Sequence, residues 1–321
     1  MLDKISNANF PMDGKPSVSS STTASCTTDH PACPSTADGR VYHVSVKSGQ
    51  VANRIVTVGD PARLHRFKRF LDKEPKPFEH ASARGYTTVT GRYKGVPVTL
   101  IAIGMGVAMV DFFVREVRAV VDGDLAIIRF GSCGSLDPAL PVGSIGVPKQ
   151  ALQISTNYAH WHGDGDKKAE PPYLFSPPIP ADADLQAALL SSLTDTVESS
   201  TCKVRSLALH ASADCFYSSQ GRIDRNFQDD NETLIDDLVE ANPDCASLEM
   251  ESAHLLHLSH LSPKIRAAAC HMVFADRTGG AFIDPAVVEE LEPKVGRACL
   301  DALVGWDVER EHPERGAVWE M

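Results

Sequence analysis

Leu125-Ala126-Ile127-Ile128-Arg129-Phe130, running into Gly131-Ser132-Cys133-Gly134, is the stretch that decides the fold. An apolar run of this length closed by small residues reads as a strand buried on both faces, the kind found inside a parallel sheet. The signature recurs nearer the N-terminus. Ile55-Val56-Thr57-Val58 runs into Gly59-Asp60-Pro61-Ala62-Arg63, and an apolar segment over 96–103 runs into Gly104-Met105-Gly106. A helical pattern follows the latter, with Val110, Phe113, Val114, Val117 and Val121 on one face. Further strands are expected over 145–147, 152–154, 204–210, 245–248 and 265–274. Helices are expected over 182–190, 251–260 and 285–303, and a long Pro-rich loop over 156–181. Strands alternating with helices predict an α/β fold: a three-layer α/β/α sandwich around a mixed, mostly parallel central sheet.

Composition sets the outer limits. The chain has 321 residues, 43% of them hydrophobic, enough for a sizeable core. Residues 1–38 are rich in Ser, Thr, Pro and Asp without apolar periodicity, and read as a disordered tail before a single domain over 39–321. The formal net charge of -11 argues against a nucleic-acid partner, which needs clustered Lys and Arg, but leaves room for a small anion held by a few buried arginines. No apolar run is long enough to span a membrane, and the first ten residues lack the core of a secretory signal. Several of the eight cysteines, Cys245, Cys270 and Cys299 among them, lie in apolar runs, which suits reduced thiols in the cytoplasm. Cys26, His30 and Cys33 cluster in the tail, but no second ligand pair follows, so no metal is expected.

Ligands of open α/β sheets bind beyond the carboxyl ends of strands, where glycines let backbone N–H groups approach an anion and a following helix adds its positive end. Arg63, one turn into its helix, and Arg129, at its strand end, are placed to reach one such crevice, and planar guanidinium forks suit phosphate oxygens. Each turn taken singly also fits an ordinary strand-to-helix connection with an ion-paired arginine. Leu248-Glu249-Met250-Glu251 ends another strand: its carboxylates suit sugar hydroxyls, a contact to Arg129, or a helix N-terminus. Phe216-Tyr217-Ser218-Ser219-Gln220-Gly221-Arg222 combines an aromatic face, an amide that both donates and accepts, and a pure donor. That set matches the uracil edge, two carbonyls flanking one N–H. A solvated polar loop is the other reading.

With these segments in order, residues 41–303 resemble the nucleoside phosphorylase-I family, and within it the uridine phosphorylases. The resemblance rests on Val41-Tyr42-His43-Val44, the turn from Val58 to Arg63, Arg84-Gly85-Tyr86-Thr87-Thr88, and the run from Arg129 to Gly134. It continues through the segment from Phe216 to Arg222, Glu249-Met250-Glu251-Ser252-Ala253 and Asp276-Arg277-Thr278. It implies that Gly59, Arg63, Arg129 and Ser132 bind phosphate, with Arg84 supplied by a partner chain. Met250 and Glu251 hold ribose, with His43 of the partner on its far hydroxyl. Phe216, Gln220 and Arg222 hold the base beside Cys133 and Gly134, and Arg222, Gln220 and Arg129 carry the catalysis. The implied substrates are uridine and phosphate, the products uracil and ribose 1-phosphate. Phosphate is a co-substrate, no cofactor is needed, and the assembly is a homodimer or a hexamer of dimers.

The chain also departs from the family. Cys133 stands where Thr or Ser is usual, Ser132 lacks a methyl, and Val107-Ala108-Met109 replaces a Gly-Pro-Ser start. Gly85 replaces an acidic residue that binds a monovalent cation in some relatives, so that ion is not expected. The loop over 156–181, with Tyr158, His160, Trp161, Tyr173 and Phe175, reads either as a rim to the site or as plain surface. The competing functions are a purine nucleoside phosphorylase using Asp276 as an acid, a nucleosidase using water, and a non-catalytic binding or storage homologue. An Asp276 paired to Arg277 would stay ionised and be a poor acid.

Overall fold

The structure, a computed structural model, describes residues 33–163, 170–199 and 201–321. Most of the expected tail, with Cys26 and His30, lies outside the described residues. The first half of the domain contains β1 (Arg54–Val58), α1 (Pro61–Lys68), β2 (Phe78–Ala81), β3 (Thr87–Tyr93), β4 (Val96–Ala102), α2 (Val107–Val120) and β5 (Leu125–Ser135). Next come β6 (Ile145–Pro148), β7 (Gln150–Thr156), α3 (Tyr158–His162), β8 (Tyr173–Phe175), β9 (Ile179–Pro180) and α4 (Ala183–Val197). The chain ends with β10 (Val204–Leu207), β11 (Leu209–Ala213), α5 (Leu234–Ala241), β12 (Cys245–Glu249), α6 (Ser252–Leu261), β13 (Ile265–Asp276) and α7 (Pro285–Val304).

All the strands join one mixed sheet, ordered β2-β3-β4-β1-β5-β12-β11-β7-β8, with β13 beside β5. Its inner ladders, β4 to β1, β1 to β5 and β5 to β13, are parallel. The margins, β2 to β3, β3 to β4 and β7 to β8, are antiparallel. The continuous apolar runs of β1 and β5 follow from helices on both sides, since alternate side chains enter different cores. Ala126, Ile128 and Phe130 pack with Leu64 and Phe67 of α1, Leu189 of α4 and Val295 of α7. Leu125 and Ile127 pack on the opposite face with Val110, Phe113 and Val117 of α2 and Leu255 of α6. The expected sandwich is therefore present, with α1, α4 and α7 in one helical layer and α2 and α6 in the other.

Several local expectations change. The run after Phe130 is not a turn: β5 continues through Gly131 to Ser135, paired in parallel with β13 and, near its end, antiparallel with β12. Arg129 therefore sits inside its strand, and no helix dipole follows it. The segment over 204–210 divides into β10, on β6, and β11, between β7 and β12. The loop over 156–181 carries α3, β8 and β9, the latter two on the edge strand β7; residues 164–169 of it lie outside the described residues. Glu249 ends β12 and Glu251 is the N-cap of α6, so the two do not share a strand face.

Candidate active site

A cavity of about 550 Å³ opens beyond the carboxyl ends of β1 and β4. Its lining includes Gly59, Arg63, Gly104, Arg129 and Ser132. Phe216, Gln220 and Arg222 line it as well, with Phe282, Cys133, Gly134, Met250, Glu251 and Phe274, whose ring centroid lies 5.6 Å from the Arg63 guanidinium carbon. Thus every residue to which the resemblance gives a phosphate, ribose or base contact lines this one space, except His43 and Arg84; Asp276 does not line it.

Arg63 is buried because α1 begins at once after β1: Asp60 caps it, its side chain accepting from the Ala62 N–H at 2.8 Å, and Pro61 opens the first turn. Its Nε donates to Glu292 Oε1 at 2.7 Å, and its guanidinium carbon lies 4.9 Å from the Phe130 ring centroid. Glu292, on α7, also accepts from Arg66. Arg129 is 3% exposed; its Nη2 donates to Glu251 Oε2 at 2.6 Å and its Nε lies 3.7 Å from Glu249 Oε2. Its Nε and Nη1 make no hydrogen bond among the described residues. A buried donor without an acceptor costs about 1–3 kcal/mol, so an oxyanion entering the cavity beside Arg129 is favoured.

Glu251 bridges two parts of the wall, its other oxygen accepting from the Gly106 N–H at 2.5 Å. Burial raises its carboxyl above the ordinary range, against the pull of Arg129. Glu249 is different. Burial pushes it up as well, but the His210 and His271 imidazoles beside it, with Nε2 atoms 3.3 and 3.6 Å away, outweigh that, and its carboxyl lies well below the usual value. It accepts from Ser212 Oγ at 2.5 Å and from the Glu251 and Ser252 N–H groups, each at 3.0 Å. The His210 and His271 rings stack behind it with centroids 4.4 Å apart. Ligand atoms of His210, Glu249 and His271 come within 4.8 Å of one another, a grouping the sequence did not suggest. Both Glu249 oxygens are already engaged by hydrogen-bond donors.

At the turn from Phe216 to Arg222, Arg222 lies 4.0 Å over the Phe216 ring and its Nη1 donates to Gln220 Oε1 at 3.2 Å. The turn that presents them is held from behind: Asn231 Nδ2 donates to Ser218 O at 2.9 Å and to Arg222 O at 3.1 Å, and Arg277 Nη2 donates to Gln220 O at 2.8 Å. Asn231 was not assigned a role from the sequence, and Arg277, part of the Asp276-Arg277-Thr278 motif, was considered only as a partner for Asp276. Burial, then the charge of Arg222, pushes Arg277 down to about 10. Its stem explains Gly134, where a Cβ would lie 2.8 Å from Arg277 Cγ. Asp276 is held low by N–H groups, Gly279 first, with the hydroxyl and N–H of Thr278. The expected pairing with Arg277 is absent because that guanidinium turns to Gln220.

The described part of the 156–181 segment contributes no lining residue. It braces the base turn instead: Tyr173 donates to Asp229 O at 2.8 Å, His160 lies 2.9 Å from Asp230, and Asp214 accepts from the Thr156 N–H at 2.7 Å. His43 and Arg84 sit together on another surface: Ser82 Oγ donates to His43 O at 2.5 Å, and exposed Arg84 stacks 4.2 Å over the Tyr42 ring beside it.

An α/β sandwich whose sheet-end cavity pairs a buried guanidinium with a planar-ring clamp defines the class: a protein built to hold an anion beside an organic ring. The chain belongs to the Phosphorylase superfamily, whose family model matches residues 53–303. It is 31% identical to the uridine phosphorylase of Thermococcus kodakarensis, covering 89% of this chain and 94% of that one. A solved uridine phosphorylase structure from the oomycete Phytophthora capsici superposes with a TM-score of 0.82 at 39% identity, covering 87% of this chain and 98% of that one. A DeoD-type purine nucleoside phosphorylase of Caldanaerobacter subterraneus matches at 32% over only 36% of this chain and 48% of its own. The resemblance read from the motifs is borne out at the level of the family and of its full-length relatives.

Proposed function

We propose that the chain catalyses reversible phosphorolysis of uridine to uracil and ribose 1-phosphate. One observation carries the reading: buried Arg129, with two nitrogens free of hydrogen bonds among the described residues, shares a cavity with the Phe216, Gln220 and Arg222 clamp. Gly59, Arg63, Arg129 and Ser132 hold phosphate, and Met250 and Glu251 hold the ribose. Cys133 and Gly134 flank the base, which stacks on Phe216 and meets Gln220 and Arg222.

The bond from C1′ to N1 of uracil breaks as phosphate oxygen attacks C1′ from the opposite face, through an oxocarbenium-like sugar. Phosphate fixed by arginines lowers the barrier by position and by charge. Negative charge moves onto the uracil carbonyls, so donors from Arg222 and Gln220 bind the departing base more strongly than the substrate, which is the kind of binding that raises kcat. The reaction needs no cofactor, phosphate being its co-substrate.

The placement of His43 and Arg84 off their own cavity supports a homodimer or hexamer of dimers with shared sites. Free buried thiols such as Cys202 and Cys245 suit the cytoplasm, where pyrimidine salvage is the expected role; no described helix is long and apolar enough to cross a membrane. Against purine cleavage stands Asp276, tied down by Thr278 and Gly279 and poorly placed to supply a proton. Uridine, thymidine, inosine and adenosine assayed with phosphate test the assignment: pyrimidine nucleosides should be cleaved far faster, and faster inosine cleavage would overturn it.

A further inference from the structure

The carboxylate of Glu116, on α2 and 3% exposed, is the convergence point of three nitrogens from one short segment. The His43 main-chain N–H reaches its two oxygens at 3.0 and 2.9 Å, and the Val44 N–H donates to Oε2 at 2.7 Å. The third is the His43 ring, whose Nδ1 lies 2.6 Å from Oε1. The ring is clamped in its plane as well, stacked on Phe112 with centroids 3.8 Å apart and 13° between the planes. Two main-chain bonds fix the backbone, one ring bond fixes the side-chain torsion, and the stack fixes the tilt. A carboxylate oxygen this close accepts, so Nδ1 carries a proton and Nε2 is the ring nitrogen left to meet a ligand. Nε2 has no partner among the described residues, and the side chain is 21% exposed.

We propose that Glu116 is a positioning residue for the sugar subsite: it holds the plane of His43 and the proton on its Nδ1 so that Nε2 meets the 5′-hydroxyl of a nucleoside in a neighbouring copy. This rests on the proposed function, in which His43 serves the partner's cavity. The chemistry selects a substrate with a hydroxyl at the 5′ position. Glu116→Gln presents an N–H where Nδ1 needs an acceptor, and leaves one oxygen for two main-chain donors.

The test compares kcat/KM for uridine and 5′-deoxyuridine, which lacks that hydroxyl. Wild type is expected to prefer uridine by about five- to tenfold, the worth of one hydrogen bond. Glu116→Gln is expected to lose about that factor on uridine and under about twofold on 5′-deoxyuridine, and to add nothing once His43→Ala is present, as coupled residues do. Glu116→Asp, which keeps the charge and withdraws it by one methylene, carries the same comparison should the amide variant not fold. Equal losses on both substrates, or additivity with His43→Ala, with wild type active, overturn the Glu116 assignment alone. Wild type inert on both nucleosides overturns the functional reading and this assignment with it.

Discussion

Replacing Arg222 by Ala separates catalysis from stability. The guanidinium's described contacts are few: a hydrogen bond to Gln220 at 3.2 Å and a stack on the half-exposed Phe216 at 4.0 Å. A stack of that kind contributes about 0.5–1 kcal/mol and a long hydrogen bond at most about 1 kcal/mol. The folded state should therefore lose about 1–2 kcal/mol, a drop in Tm of about 1.5–3.5 °C for a chain of this size. The catalytic term is larger. Burial disfavours the Arg222 cation, its charge being poorly solvated, so a carbonyl oxygen gaining negative charge meets a donor ready to bind it. Loss of one such donor costs about 2.7–4 kcal/mol in the transition state, or about 10²- to 10³-fold in kcat. Turnover of uridine with saturating phosphate, measured beside urea unfolding of the same preparation, gives both quantities. A kcat within about threefold of wild type, or a loss no larger than the fraction unfolded, would refute the role.

Three other outcomes follow from the geometry. Asn231→Ala removes both donors that hold the base turn, and should raise KM for uridine about five- to thirtyfold while KM for phosphate stays put; equal effects on both would contradict the bracing role. Gly296→Ala places a Cβ 2.3 Å from Phe67 Cγ, where α7 packs on α1, and should destabilise the fold by about 1–3 kcal/mol in urea; an unchanged midpoint would contradict that close packing. Burial, with the charge of His210 next, pushes the His271 imidazole down from 6.5 to about 4. Its unfolded form takes up a proton near 6.5 while the native form does not, so stability falls as pH drops from about 6.5 towards 4, by at most about 1.4 kcal/mol per pH unit from this residue. His271→Gln should flatten that limb of the stability curve, and an unaltered slope would show that His271 titrates alike in both states.

The sandwich was legible because its central strands are mostly apolar: Ile55, Val56 and Val58 in β1 and Leu125 to Ile128 in β5 advertise double-sided burial through composition alone. The cavity walls were legible for a related reason, since residues on one turn, such as Phe216, Gln220 and Arg222, are neighbours in sequence and in space. What escaped depends on distant partners. Gly131 to Ser135 has the composition of a turn, yet β13 and β12 supply ladder partners that hold it extended. Arg63 finds Glu292 across 229 positions, and His43 finds Glu116 across 73, with nothing local to indicate either. Glu249 and Glu251 looked equivalent two positions apart. The end of β12 between them sends one to a histidine pair and the other to Arg129.

The central claim is that an oxyanion held beside Arg129 attacks the sugar while the clamp receives the base. Uridine incubated with the protein in phosphate-free buffer and again with phosphate, with the sugar product identified each time, tests it most directly. Cleavage should require phosphate and should release ribose 1-phosphate in step with uracil. Free ribose appearing at an undiminished rate without phosphate would contradict it, as would bound uridine that is never cleaved.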